Sequence, residues 1–591
     1  MAEFLKPNDK RTKYCGEFTA ADIGCDVCVM GWVQRQRDLG SLIFIDLRDR
    51  SGIIQLAFDS DTDRSVFDTA FGARAEYVLC AKGKVRSRGA GAVNKDLPTG
   101  EVEIFVADLK ILSVAQTPPF EIVENSNVRP ELRLTHRYLD LRRSDMQNNI
   151  IARHNITRLV RQFFADNGFL DIETPCLIKP TPEGARDYLV PSRVHPGSFY
   201  ALPQSPQLYK QLLMLSGFDR YMQIARCFRD EDLRADRQPE FTQIDIEMGF
   251  VTQRDIMDMM EAFLKFLFWE FKGIDIETPM LCMTYEEAMT RFGSDKPDLR
   301  FGFEIADLTD IVKDSGFKVF SEAPIVRAIN IKGAAGKFSR KDIDALTVFV
   351  KAYKAKGLAW YKNTGGEISS SYAKFLTDDE NNKIAAKMGI ETDDLVFIIA
   401  DKKKIVLDSL GALRCEMAKR LNLTDPFDYK LLWVIDFPLF EYDEDEGKYY
   451  ATHHPFTMPM VEDLEFVDTD PGRVRSMAYD VVINGTEAGG GSIRIHNPDI
   501  QAKMFSVLGF TKEEAENKFG FLMEAYKYGA PPHGGIAFGL DRLVTLLLGL
   551  DDIRDVIAFP KVQNASELMT KCPAPTDEKA LKELGIAVIK Q

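Results

Sequence analysis

Cysteine, histidine and tryptophan are scarce in this chain: nine, seven and four among 591 residues. Nine is an odd count, and the cysteines scatter from Cys15 to Cys572 with no paired spacing. That excludes a disulfide framework and points to a reduced, cytoplasmic protein. The single CxxC, Cys25 to Cys28, has no second pair at finger spacing, so no structural zinc is expected. Gly333-Ala-Ala-Gly-Lys-Phe338 imitates a phosphate loop, but the spacing is wrong and Phe338 stands where Ser or Thr is required. Long apolar runs are also missing. The longest, such as Leu543–Leu550, are core-sized, well short of the ~18 residues of a spanning helix. The first residues lack the apolar stretch of a secretory signal. With 75 basic and 90 acidic residues the net charge is −15. Indiscriminate coating of nucleic acid or of an anionic membrane is thereby disfavoured, while a local basic site remains open.

What is present reads as several domains, since the length is a few times the ~150 residues of one. Residues 1–115 carry five β-rich runs, Val27–Val33, Leu42–Arg48, Ile53–Phe58, Tyr77–Val85 and Glu101–Leu112, separated by turn chemistry. Five short strands in such a span fit an OB-type barrel, a platform for single-stranded nucleic acid. Charge is nearly balanced here, with 15 basic and 14 acidic residues over 1–100, so the acidity lies elsewhere. Alternation places Ile43, Ile45 and Leu47 on one face of the second strand and Phe44, Asp46 and Arg48 on the other. A phenylalanine on a polar face is either a second core residue or a base-stacking platform, with Arg35, Arg37, Arg86 and Arg88 nearby as phosphate donors.

Residues 116–140 read as a hinge. From about 150 a helical pattern begins, stopping at Asn167-Gly168. Segments 200–275 and 430–560 are rich in strands with one polar face, and 300–422 between them differs in character, as an insertion would. On Phe241–Phe250, Ile244, Ile246, Met248 and Phe250 face one way while Gln243, Asp245 and Glu247 face the other, a costly row unless it meets water or a ligand. The preceding strand ends in Phe228-Arg-Asp-Glu231, and the joining loop holds Arg234 and Arg237, suited to a polyphosphate. Asn484-Gly485 predicts a tight hairpin that brings Asp480 and Glu487 onto one face, where two carboxylates call for a cation such as Mg²⁺. Ser492, Arg494 and His496 follow a run of three glycines. Glu487 and Arg494 are seven apart, so a regular strand would point them to opposite faces; a bulge or break within 488–492 is predicted. Finally, Gly539-Leu-Asp-Arg542 leads from a strand into a helix.

These clusters, in this order, resemble the signature motifs of class II aminoacyl-tRNA synthetases. Phe169-Leu-Asp-Ile-Glu-Thr-Pro175 resembles motif 1, Phe228–Glu231 with the strand after it motif 2, and Gly539–Arg542 motif 3. The N-terminal barrel and Gln204–Lys210 resemble the aspartate–asparagine–lysine subgroup, and the 300–422 insertion its bacterial aspartate branch. Thr181–Asp187 resembles the loop that closes over the amino acid. The resemblance implies a multidomain α+β fold: an anticodon-binding OB barrel (1–115), a hinge (116–140), an antiparallel-sheet catalytic domain in two parts (141–299 and 423–565), an inserted α/β domain (300–422) and a C-terminal extension (566–591). It implies ATP-dependent activation of aspartate and transfer to tRNA(Asp), with a homodimer, Mg²⁺ accompanying ATP and no membrane.

By the same resemblance Glu183, Gln207, Lys210, Arg229, His453 and Arg494 surround aspartate. ATP falls to Arg229, Asp230, Glu231, Gln238, Phe241, Glu487, Gly539, Leu540, Asp541 and Arg542, with Phe241 stacking on adenine. Arg229 and Arg542 are the catalytic arginines, and Asp480 and Glu487 hold Mg²⁺. The anticodon is read by Arg35, Arg37, Phe44, Gln55, Arg86, Arg88 and Glu103. Leu39 and Ala92 give opposed indications on whether tRNA(Asn) is accepted too. The alternatives are an asparagine- or lysine-charging sister enzyme and a non-catalytic RNA-binding paralogue.

Overall fold

A computed structural model describes residues 3–89, 91–180, 184–231 and 237–589. The chain divides into two compact units, Met1–Ala152 with Ile557–Val562 and Ser566–Ala574, and Arg153–Val556 with Gln563–Ala565 and Pro575–Gln591.

The first unit is built on a closed five-stranded barrel of β1 (Asp26–Asp38), β2 (Ile43–Asp49), β3 (Gly52–Phe58), β4 (Val78–Ser87) and β5 (Val102–Ser113), in the order β1-β2-β3-β5-β4. The alternation read from the sequence fills it: Val29, Val33, Ile43, Ile45, Leu47, Leu56 and Ile104 are all buried in one core. A helix not anticipated from the sequence, Arg64–Gly72, packs Ala70 into that core and is capped by the Asp63 carboxylate, which accepts from the Ser65 amide. Arg48 departs from the expected solvent face. It is buried because Glu76 neutralises it at 3.0 Å, and Arg142 joins the same carboxylate at 2.9 Å.

In the second unit an eight-stranded sheet runs in the order Leu281–Thr284, Leu431–Ile435, Ala478–Ile483, Thr486–Ile493, His533–Gly539, Glu240–Gly249, Arg220–Phe228, Leu170–Asp171. Chain segments on both sides of 300–422 contribute to it. A separate five-stranded sheet is made wholly from strands between Ala306 and Asp401, with its own apolar core around Ile329, Phe397 and Leu410. Helix Gln253–Lys272 covers the large sheet; it starts at a Thr252/Asp255 capping box and ends at Gly273 in the left-handed conformation. Its Phe263 packs between Phe164 of helix Ser144–Asp166, tilted against it, and Phe538 of the sheet, edge to face, with ring centroids 4.9 and 5.6 Å apart.

The Asn484-Gly485 turn has both residues at positive φ, 52° and 77°, as a two-residue hairpin of matching twist requires. Pairing runs Ile483 with Thr486 and Val482 with Glu487, then jumps to Val481 with Gly489. Ala488 is the extra residue of a β-bulge, which lies inside the predicted interval. Because of this shift Asp480 pairs with Gly490 and not with Gly489.

Candidate functional site

One face of four neighbouring strands, three of them bearing carboxylates, lines a cavity of about 430 Å³ in the second unit. Among the nominated residues, Gln207, Lys210, Arg229, Glu231, Gln238, Phe241, His453, Asp480, Glu487, Arg494, Gly539, Asp541 and Arg542 line it. Glu487 and Arg494 are both in the lining, which the bulge makes compatible with their odd spacing.

At one end the charges are buried and paired. Arg494, 2% exposed, donates through Nε and Nη2 to the two oxygens of Glu247 at 2.9 and 3.0 Å. Its Nη1 reaches Ser492 Oγ and His454 Nε2, both at 2.7 Å. Four of five N–H groups are thus committed, and one on Nη2 has no partner among the described residues. Lys210 sits beside it, with Nζ 2.7 Å from Asp245 Oδ1 and 3.3 Å from Glu247 Oε2. Burial pushes the Asp245 carboxyl up against the pull of Lys210, whereas for Glu247 the Arg494 and Lys210 charges outweigh burial and hold it down at about 2. Burial keeps His453 and His454 neutral, with Arg494 reinforcing this at His454.

At the other end lie the nucleotide-type features. The Arg229 guanidinium stands 5.1 Å over the Phe241 ring, with no ion-pair partner among the described residues. Glu231 pairs with Arg237 at 2.9 Å. Arg542, in the first turn of helix Leu540–Leu548, donates to the Glu487 carbonyl at 2.6 Å and so ties helix to hairpin.

Between the two ends stand Asp480 and Glu487. A Cβ on Gly490 would lie 2.6 Å from Asp480 Oδ1 and 3.4 Å from Glu487 Oε1, so only glycine leaves both carboxylates their space. Burial, and then the charge of Glu487, push the Asp480 carboxyl well up. Its Oδ1 is buried with no hydrogen-bond partner among the described residues, as are Gln207 Nε2, Asp245 Oδ2 and His453 Nδ1. Four unsatisfied polar atoms around one cavity are the mark of a site completed by its ligands. A divalent cation fits Asp480 and Glu487: two carboxylates, one of which now favours a proton that a cation would displace. No cluster of three or more His, Cys, Asp or Glu ligands occurs among the described residues.

Some expectations need correction. Asp230 is outside the cavity lining and faces Arg186 at 3.5 Å, both side chains being substantially exposed. Leu540 is 1% exposed on the apolar side of its helix and cannot offer its side chain to a nucleotide. Asp541 borders the cavity, but its carboxylate is taken by Arg153 and, at 2.9 Å, by the Thr242 amide. Glu183 and Arg234 lie outside the described residues. Conversely, Gln243 and Asp245, with Glu247 on the same strand face against Arg494, are joined in the site by Ser492 and His454, and all of these but Glu247 line the cavity. The first three were visible as a polar strand face; His454 was visible only as half of an adjacent pair.

In the first unit the nominated barrel residues form a connected set. Arg37 donates to Asp46 Oδ1 at 3.0 Å and Gln55 Oε1 at 2.9 Å, and lies 5.9 Å from the Phe44 ring centroid. Gln55 Nε2 donates to Glu103 at 2.7 Å, and Glu103 accepts from Arg86 Nε at 2.8 Å. Arg35 is exposed opposite Asp46, and Arg88 Nη2 is buried without a hydrogen-bond partner among the described residues. Phe44 is half-buried and absent from the barrel core. Leu39 and Ala92 are exposed.

Comparison with known proteins places this architecture. Residues 129–563 match the family of class II tRNA synthetases for D, K and N, and residues 27–112 match the OB-fold nucleic acid binding domain of the anticodon-binding type. A barrel of that kind and a sheet with this cavity in one chain define a class II aminoacyl-tRNA synthetase. An aspartate–tRNA ligase of Ruminiclostridium cellulolyticum is 59% identical over 98% of this chain and 99% of its own length. An aspartate–tRNA(Asp/Asn) ligase of Caldanaerobacter subterraneus is 57% identical over 98% of each. The chain belongs to the aspartate–tRNA ligase family. Among solved structures, the aspartyl-tRNA synthetase of Entamoeba histolytica (TM-score 0.58, 21% identity, 94% of this chain and 92% of that one) shares the fold. So does the asparaginyl-tRNA synthetase of Pyrococcus horikoshii bound to asparaginyl-adenylate (TM-score 0.58, 18% identity, 93% and 98%). No helix among the described residues is long and apolar enough to cross a membrane.

Proposed function

We propose that this chain activates L-aspartate with ATP to aspartyl-adenylate and transfers the aspartyl group to the 3′ end of tRNA(Asp), releasing AMP. The observation that carries this is the cavity itself: a buried, glycine-floored chamber with paired cations at one end, an arginine over an aromatic ring at the other and two strained carboxylates between. Aspartate's side-chain carboxylate docks at the free Nη2 N–H of Arg494 and at Lys210, with His453 and Gln207 closing over its backbone end. Adenine stacks on Phe241, and Arg229 and Arg542 hold the phosphates. When bound to Asp480 and Glu487, Mg²⁺ offsets the charge of the phosphates. The reacting carboxylate is already an anion, so no general base is needed: an aspartate oxygen attacks the α-phosphorus, and pyrophosphate leaves with the bonding pair. Arg229 meets the charge that develops on the α-phosphate oxygens, so positioning and electrostatics carry the step.

The barrel, the 1–115 part of the expected domain plan, reads the anticodon through Phe44 and the Arg37–Gln55–Glu103–Arg86 chain. The protein works in the cytoplasm as a homodimer, paired through the motif 1 region that ends at Pro175. ATP–pyrophosphate exchange with aspartate, asparagine and lysine tests the activity: exchange with aspartate alone is expected, and exchange driven equally by asparagine would defeat it. The lysine alternative fails at the Arg494 end of the cavity. There Lys210 and Arg494 already neutralise Asp245 and Glu247, so a substrate ammonium would have no unpaired anion to meet at that end. A second reading, acceptance of tRNA(Asn), is favoured by relatives named for both tRNAs, and charging assays with each transcript separate the two.

A further inference from the structure

On the outer face of the barrel two rows of side chains run across the strands in register. One row is Arg35, Asp46, Gln55, Glu103 and Arg86, paired strand to strand or joined by the hydrogen bond of Gln55 to Glu103. The other row is Arg37, Phe44, Ala57, Phe105 and Lys84, each directly opposite the next. The polar row accounts for most of the residues assigned to the anticodon, whereas in the second row only Arg37 and Phe44 have been given a part.

Phe105 repeats the features of Phe44. It is half-buried, stands outside the barrel core, and has a guanidinium against its ring: Arg86 lies 4.8 Å from the centroid, as Arg37 lies 5.9 Å from that of Phe44. Arg86 is itself pinned by Glu103 at 2.8 Å and Asp59 at 3.0 Å, so the arginine is fixed and supports the ring. Between the two rings stands Ala57, the smallest side chain of the row. Two inter-strand steps of ~4.8 Å put Phe44 and Phe105 about 10 Å apart at the backbone. That is about three stacking rises of ~3.4 Å, too far for one base to touch both rings. Arg88, which carries the buried partnerless Nη2, feels the charges of Glu103, Asp46 and Arg37 and so lies at the same face.

We propose that Phe105 is a second base-stacking shelf, backed by Arg86, which takes an unpaired base of the tRNA neighbouring the one on Phe44. The proposal rests on the anticodon reading of the barrel and adds to it a subsite and a specificity residue. Phe44 and Phe105 then fix the splay of two adjacent bases, while the polar row between β2 and β4 addresses their edges.

The test uses the full-length protein and tRNA(Asp) transcript, with Phe105→Ala, Phe105→Leu, Phe105→Trp and Phe44→Ala. Phe105→Ala and Phe105→Leu are expected to raise the KM for tRNA roughly 5- to 150-fold, the span found for one lost base stack. Aspartate-dependent pyrophosphate exchange and thermal unfolding should stay unchanged, and Phe105→Trp should keep a KM near that of the unaltered chain. If both Phe105→Ala and Phe105→Leu hold the KM within about twofold while Phe44→Ala raises it, less than the weakest stack is worth, the second shelf is refuted and the anticodon reading survives. If Phe44→Ala is also silent, both fall. If charging is lost together with thermal stability and the tryptophan does not restore it, Phe105 is a packing residue and the proposal fails.

Discussion

Replacing Arg494 by lysine isolates what the guanidinium fork does while keeping the charge. Arg494 makes two hydrogen bonds to Glu247 and one each to Ser492 and His454, leaving a single Nη2 N–H for substrate. An ammonium has three N–H groups on one atom. It can stay beside Glu247 but cannot span both its oxygens and still present a donor to aspartate. The lost substrate contact is one charge-assisted hydrogen bond, worth about 1.5–3 kcal/mol. At 1.36 kcal/mol per decade, aspartate kcat/KM in pyrophosphate exchange should fall roughly 10- to 200-fold. The loss should appear mainly in the KM for aspartate, with the KM for ATP little changed, because Arg229 and Phe241 are untouched. Preference for aspartate over asparagine should shrink by a similar factor, since an amide makes far less use of a cation. Arg494→Leu is a poorer probe. It leaves Glu247 buried with Lys210 alone, and stripping one partner from a buried pair destabilises by about 3–5 kcal/mol. A folded Arg494→Lys enzyme with unaltered aspartate KM and selectivity would refute the assignment.

Asp480→Asn should abolish Mg²⁺-dependent exchange yet leave the metal-free protein as stable as before, or more so, at neutral pH by calorimetry. The sign follows from the raised carboxyl: the folded state holds its proton longer than the unfolded one, so from the ordinary value of 3.8 upward stability falls as pH rises, until the raised value is passed. Added Mg²⁺ should accordingly raise the unfolding temperature more at pH 7 than at pH 5, and an equal rise at both would contradict this. Phe44→Ala should weaken tRNA charging by about 1–3 kcal/mol with pyrophosphate exchange intact; a parallel loss of both would make Phe44 a core residue. Asp541→Asn should lower the unfolding temperature, because the carboxylate joins Arg153 to the Thr242 amide; a normal melt with a raised KM for ATP would return Asp541 to the nucleotide site.

The strand alternation around Ile43 to Leu47, the Asn484-Gly485 turn and the polar face of Gln243, Asp245 and Glu247 were legible because each depends only on residues within one or two turns or strands. The bulge at Ala488 was legible for a different reason. Two residues needed in one cavity stood at the wrong parity, and a glycine run lay between them to absorb the shift. By contrast, Arg64–Gly72 is a short helix with weak periodicity, held by its Asp63 cap and by the barrel it plugs, and neither signal stands out locally. Arg48 looked like a surface charge because its partner, Glu76, is 28 residues away and is brought beside it only by barrel closure.

The same limit explains why charges could be assigned to the site while their balance could not. Sequence alone gives Lys210 and Arg494 as two cations converging on a pocket, which suggests a net positive chamber for a dicarboxylate. The folded site is different: Asp245 and Glu247, on one strand, meet Lys210 from a helix and Arg494 from 247 residues away. With all four ionised the set is neutral, and its preference for a carboxylate must come from direction more than from net charge. The fork of Arg494 is oriented by Glu247, and its one open N–H is left pointing where a ligand oxygen can replace water. Asp245 adds a further element, since burial favours its protonated form, and a proton there would tip the set towards positive charge. Glu247, held ionised at about 2 by Arg494 and Lys210, cannot do the same. On the proposed function, selectivity for aspartate over its amide depends on two carboxylates set next to each other but one on a strand and shifted in opposite directions: burial lifts Asp245 against the pull of Lys210, whereas the Arg494 and Lys210 charges hold Glu247 down.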